Sequence, residues 1–103
     1  VLRRLNAANL VRAYGLVLAG GGTSPGAYNI ARAERLGDGD YRLDWETALG
    51  ASRYPLLVTP QDNRSGVTAQ VLSTTSGSAR VQLFLAGRRA STVFGVAVFG
   101  PAV

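Results

Sequence analysis

The stretch Arg35–Leu49, RLGDGDYRLDWETAL, decides how this chain is read, because it packs four of the six carboxylates into nine residues around the single tryptophan. Asp38, Asp40, Asp44 and Glu46 are either an acid/base or metal site, or the tip and outer face of a hairpin. Tyr41, Leu43 and Trp45 alternate with Arg42, Asp44 and Glu46, which is the period of two of a half-buried strand. Asp44 and Glu46 then fall on its polar face, where cross-strand partners such as Arg32 or Arg35 can meet them. The segment Gly37–Asp40, GDGD, lies between two strand-like runs. Asp-Gly pairs there signal a tight hairpin, because both residues tolerate the positive φ that such turns require. A calcium loop starting at Asp38 would need a bidentate Glu at its twelfth position, and that position holds Leu49. The hairpin is the expected reading, with no metal ligands and no catalytic residues among these acids.

Outward from the hairpin the texture stays the same. Short β-rich runs separated by Gly, Pro, Asn, Asp and Ser clusters mark seven strands: Leu10–Leu18, Ile30–Arg35, Tyr41–Trp45, Tyr54–Thr59, Val67–Thr74, Ala79–Leu85 and Thr92–Phe99. No long helical pattern follows any of them, so parallel crossovers are not expected. The predicted fold is an all-β, antiparallel β-sandwich of about seven strands. Residues 1–9 precede it as the end of a stalk or linker, too short to stand as a helix alone, and residues 10–103 form one domain. The chain starts at Val1 and reads as a piece of something longer.

Composition removes most chemistries. The 103 residues contain no Cys, His, Met or Lys; all eleven basic residues are Arg, against six acids, for a net charge of +5. Without His there is no Ser-His-Asp triad and no imidazole ligand. Without Cys there is no thiolate or disulfide, and without Lys no Walker A lysine, Schiff base or Ser-Lys dyad. A carboxylate pair such as Asp44 and Glu46 is the only acid/base equipment left, and no cleft is evident around it, so no enzyme and no cofactor are expected. The arginines are scattered rather than run together, and Tyr41 and Arg42 point to opposite faces of their strand; no nucleic acid is expected as a partner. The uncharged run Ala90–Val103 falls short of the roughly 20 residues that span a bilayer, so no membrane insertion is expected.

The last strand poses a different problem. In TVFGVAVFG, Thr92–Gly100, Phe94, Val96 and Val98 face one way and Val93, Ala97 and Phe99 the other. An antiparallel sheet with one wet face would show polar residues on that face. The first strand is similar, with Leu10, Tyr14, Leu16 and Leu18 opposite Val11, Ala13 and Val17. Either local loops cover the second face or identical subunits do. The second reading makes the protein an obligate oligomer with Val93, Ala97, Phe99, Val11 and Val17 at the interface.

Several short motifs occur in a fixed order: Arg12-Ala13-Tyr14, Tyr28-Asn29-Ile30, Gly37-Asp38-Gly39-Asp40-Tyr41, Leu43 with Trp45, Ala48-Leu49, Arg53-Tyr54, and Phe94-Gly95-Val96-Ala97-Val98-Phe99. Through them the chain resembles the small β-rich C-terminal tip domains of bacteriophage tail fibres over most of Leu10–Gly100. Two departures stand out. Tyr14 occupies a position where tryptophan is common, and Gly50-Ala51-Ser52 replaces a usual Pro-Asp. The resemblance implies a homotrimer at the fibre tip of a virion, joined to an upstream fibre shaft. It also implies binding to a bacterial surface receptor, such as a polysaccharide or an outer-membrane component, during host adsorption. The alternative is a structural virion module, for decoration or fibre trimerisation, that binds no receptor.

If neighbouring strands all run antiparallel along the fibre axis, connections alternate between the two ends. Those after the first, third and fifth strands then share the end away from the stalk, and GDGD and Pro60–Gly66 share the stalk end. This parity selects Thr23, Ser24, Tyr28 and Asn29 in the loop GGGTSPGAYN, with Ser52, Arg53 and Ser76, as receptor-binding candidates. They offer an aromatic face ringed by hydroxyl and amide groups, which suits a sugar. The competing reading of that loop is an inert glycine-rich connector.

Overall fold

The computed structural model describes residues 11–62 and 64–99. The expected stalk segment 1–9 lies outside them, as does Leu10. Eight strands form among the described residues, and no helix: β1 (Val11–Val17), β2 (Ile30–Gly37), β3 (Asp40–Trp45), β4 (Leu56–Gln61), β5 (Val67–Thr74), β6 (Ser78–Leu85), β7 (Arg88–Arg89) and β8 (Val93–Phe99). Each expected strand is present, and the two-residue β7 is the addition. All pairings are antiparallel, in a three-stranded sheet of order β1-β8-β4 and a five-stranded sheet of order β2-β3-β6-β5 with β7 on β6.

One core joins the sheets, an arrangement consistent with a β-sandwich. Ala13, Val17, Phe94, Val96 and Val98 come from the three-stranded sheet; Ala33, Tyr41, Leu43, Trp45, Ala79, Val81 and Leu83 come from the other. Tyr41 stands at its centre, fully buried. Its ring meets Phe94 edge-on with centroids 4.9 Å apart, and its hydroxyl donates to the Ala19 carbonyl at 2.5 Å. An aromatic pair of this geometry contributes beyond its buried area, and the hydroxyl is buried without penalty because it is bonded.

The GDGD hairpin forms as expected, with Gly37 paired to Asp40 and a two-residue turn between them. Gly39 has φ +67°, and a Cβ there would sit 2.6 Å from both the Ala90 nitrogen and the Leu83 oxygen. Glycine is required twice over, by the turn and by the backbone that crosses it.

A second feature reverses the expected parity. After β1 the chain turns at Leu18–Gly22, where the Gly22 amide bonds the Ala33 carbonyl. It then runs back along the free edge of β1 through bridges Val17 to Thr23 and Tyr14 to Tyr28. This unlabelled return pass brings β2 to start beside the beginning of β1, not its end. The connections Glu46–Arg53 and Thr75–Ser78 consequently lie at the end where β1 begins, tied through Asn29, Thr47 and Arg12. GDGD lies at the opposite end, bonded to Ser91 just ahead of β8.

Candidate functional site

The four clustered carboxylates have structural partners. Asp38 accepts from the Ser91 amide and hydroxyl at 3.1 and 3.0 Å. These two bonds, with Arg35 nearby, hold its carboxyl below the usual range. Asp40 is buried, paired with Arg80 at 2.6 Å and Arg89 at 3.8 Å. Asp44 pairs with Arg42 on its own strand at 3.0 Å, while Arg32, its cross-strand neighbour, turns to Glu34 at 3.1 Å. Glu46 is exposed. The expected partner of Asp44 is thus replaced by a nearer one. The burial of Asp40 had no signal in the strand pattern, because Arg80 reaches it from another part of the chain. No group of three or more Asp or Glu side chains among the described residues is placed to hold a metal ion.

The receptor-binding candidates are not gathered at one tip. Thr23 and Ser24 are half-buried along β1, with the Ser24 amide bonded to the Leu16 carbonyl. Asn29, at φ +60°, donates from Nδ2 to the carbonyls of Arg12 and Thr47, both at 3.1 Å, and accepts from the Thr47 amide at 2.6 Å. Its amide is fully committed to closing the loop. Ser52, Arg53 and Ser76 are exposed and near one another: Thr74 bonds the Ser52 carbonyl and Leu49 bonds the Ser76 carbonyl. Tyr28 stands apart from them, 52% exposed and stacked on Tyr14 at 5.5 Å.

Tyr54 explains why those loops hold together. Its hydroxyl accepts from Trp45 Nε1 at 2.9 Å and directs its proton to the carbonyls of Thr75 and Ser78 at 2.8 and 3.0 Å. Burial pushes its pKa up, the Trp45 bond opposing. One ring therefore locks β3, the approach to β4 and the β5–β6 turn.

The two outer faces differ sharply. On the five-stranded sheet the outward positions carry the pairs Arg32–Glu34, Arg42–Asp44 and Arg80–Asp40. On the three-stranded sheet β1 presents Val11, Tyr14 and Leu16, followed by Leu18. The central β8 presents Val93, Gly95, Ala97 and Phe99, and β4 presents Leu57, Thr59 and Gln61. None of these is charged; the one arginine of β1, Arg12, lies half-buried at the bulge between Val11 and Tyr14. Val11, Tyr14, Leu18, Tyr28 and Leu57 are five of the eight large hydrophobic side chains left exposed among the described residues. Among the described residues, Val11, Tyr14, Leu18 and Leu57 of this face are exposed, while Val93, Ala97 and Phe99 of β8 are half-buried.

One interface expectation is corrected. Val17 is fully buried in the core and cannot lie on the outer face. The pairing register shifts between Val11 and Ala13, so the bulge puts Val11 outward with Phe99 while Ala13 and Val17 turn inward. Val93, Ala97 and Phe99 are half-buried on the outer face and Val11 is 41% exposed there. Plain alternation counted from Val11 missed Tyr14 and Leu16, because the one-residue bulge parts Val11 from Ala13 and Val17; Leu57 lies on β4, which pairs with β8 without a bulge.

No family model, no curated protein and no solved structure matches this chain. What the residues define is an all-β domain of two antiparallel sheets, one outer face charged and one apolar.

Proposed function

We infer that this domain is the tip module of a bacteriophage tail fibre. In this reading three copies pack the outer faces of their three-stranded sheets around a common axis, and the assembly binds a bacterial surface polysaccharide during adsorption. The observation that carries the reading is the largely apolar outer face of β1, β8 and β4, with Arg12 at its rim, set against the arginine-carboxylate ladder on the opposite side of the same molecule. A sheet face of that composition is suited to contact with protein rather than water. A chain of charge +5 meets its own copies with least repulsion where it carries no charge. Receptor contact then falls on the surfaces left outside the assembly, the arginine-bearing outer face and the exposed Ser52, Arg53 and Ser76, with which acidic groups of a surface polymer pair. The upstream shaft joins through the N-terminal side, and the protein resides in the virion at the fibre tip.

A second reading, a fibre-assembly module with no receptor of its own, is favoured by Asn29, whose amide is committed to backbone groups. Solution mass by light scattering tests the shared part of both readings: three times the chain mass is expected, and a monomer at micromolar concentration overturns both. Adsorption competition separates them. Free domain that blocks phage attachment supports the receptor binder, and trimeric domain that leaves attachment untouched supports the assembly module.

A further inference from the structure

Two glycines lie in the paired strands β1 and β8, Gly15 opposite Val96 and Gly95 opposite Leu16, and the chain explains only one of them. A Cβ at Gly15 would lie 2.8 Å from the Ala27 Cβ and 3.0 Å from Ile30 Cδ1, so the packing of this chain demands glycine there. A Cβ at Gly95 would meet nothing nearer than 4.0 Å, and Gly95 is not among the residues of positive φ. Glycine inside a strand weakens it and marks a place where another group approaches closely. Among the described residues nothing makes that approach. Gly95 and Ala97 instead floor an open groove of about 330 Å³ on the outer face, walled by Leu57, Thr59 and Gln61 of β4.

On the other side of Ala97, in direct register, stands Tyr14. It is 47% exposed and stacked on Tyr28, whose segment bonds the edge of β1 away from β8. The two rings form a ridge that is braced internally and leaves the groove beside it empty.

We propose that the Tyr14–Tyr28 ridge of one copy seats in the Gly95–Ala97 groove of a second copy of this chain, and that Gly95 is glycine to admit it. The inference rests on the self-association read above and names its contact. Three properties select a second copy as the occupant. Ridge and groove both belong to every copy, so a head-to-tail contact can repeat from copy to copy, closing as a ring where its rotation permits. The groove has an apolar floor with the Thr59 hydroxyl and Gln61 amide on its wall, which matches a tyrosine, apolar in its ring and polar at its tip. The groove lining carries no charge, so copies of a +5 chain meet there with least repulsion. Four rows about 4.8 Å wide and about seven residues long give roughly 450 Å² of plan area per copy, so a closed ring of three buries about three times that across the whole assembly, before side-chain corrugation, against the roughly 1,000 Å² of a specific interface.

The test is Gly95→Val, read by solution mass and by thermal unfolding. Val is a good strand residue with room in this chain, so the unfolding temperature of the dilute protein is expected to hold or rise. Over the same range the dissociation constant should weaken at least tenfold. Tyr14→Ala should weaken association equally, and Gln70→Ala, on the opposite sheet, should leave it unchanged. Association undiminished in Gly95→Val, with the wild type a trimer, overturns the ridge-in-groove contact and leaves the self-association reading standing. A wild type that is monomeric overturns both. Ala97→Leu provides a second filling of the groove. If both filled variants unfold, the groove is needed by the fold of the single chain and the proposal fails.

Discussion

Asn29 shows how a residue selected for binding can be committed to structure. Its positive φ is tolerated by asparagine better than by most residues, and all the bonding capacity of its amide closes the loop onto Arg12 and Thr47. Asn29→Ala is expected to cost about 2 kcal/mol, from lost bonds to partly buried carbonyls and a strained backbone. Asn29→Gly, which relieves the backbone but not the bonds, should cost less. Urea midpoints of the two variants measure the difference, and equal midpoints would refute it. Asp38 gives a pH signature. Ser91 and Arg35 hold its carboxyl below the ordinary 3.8, so its contribution to stability is complete above that value and is lost as pH falls through its lower folded value. Asp62, held down by Arg64, behaves alike. Stability should therefore fall on acidification below 3.8, and Asp38→Asn should flatten part of that fall; an unchanged slope in urea titrations would contradict the assignment.

At the scale of elements, the hairpin and the return pass behave differently. The β2–β3 turn is written locally: Asp-Gly supplies the turn conformation, and the alternation of Tyr41, Leu43 and Trp45 supplies the register. Gly39→Ala is expected to destabilise by about 3 kcal/mol or more, because φ is +67° and backbone atoms wait 2.6 Å away. Gly37→Ala, with nothing within 4 Å and no positive φ, should cost less than about 1 kcal/mol. Comparable losses at the two glycines, measured by chemical denaturation, would disprove the account. The segment Gly20–Asn29 reads as a loop, yet two isolated bridges lay it along β1. Isolated bridges leave no hydrophobic alternation, so no periodicity announces them, and that one unannounced pass inverts the end to which every later connection is assigned.

For the whole molecule the decisive property is the difference between its outer faces. Leu57 is 55% exposed on the apolar one, so Leu57→Arg should fold normally while lowering the solution mass to that of a monomer. Gln70→Arg on the charged side should leave the mass unaltered. A trimeric Leu57→Arg, measured by sedimentation, would remove that face from the interface. The class of fold, the seven main strands, the hairpin and the two-sided apolarity of β8 were all legible in the residues, because each depends on neighbours two to four positions apart. The inward placement of Val17, the pairing of Asp40 with Arg80, the hydroxyl of Tyr54 shared by three segments, and the vacancy above Gly95 were decided only by the folded chain. Each of these depends on which distant strand arrives alongside, and a bulge or a return pass changes that without altering the local pattern of polar and apolar residues.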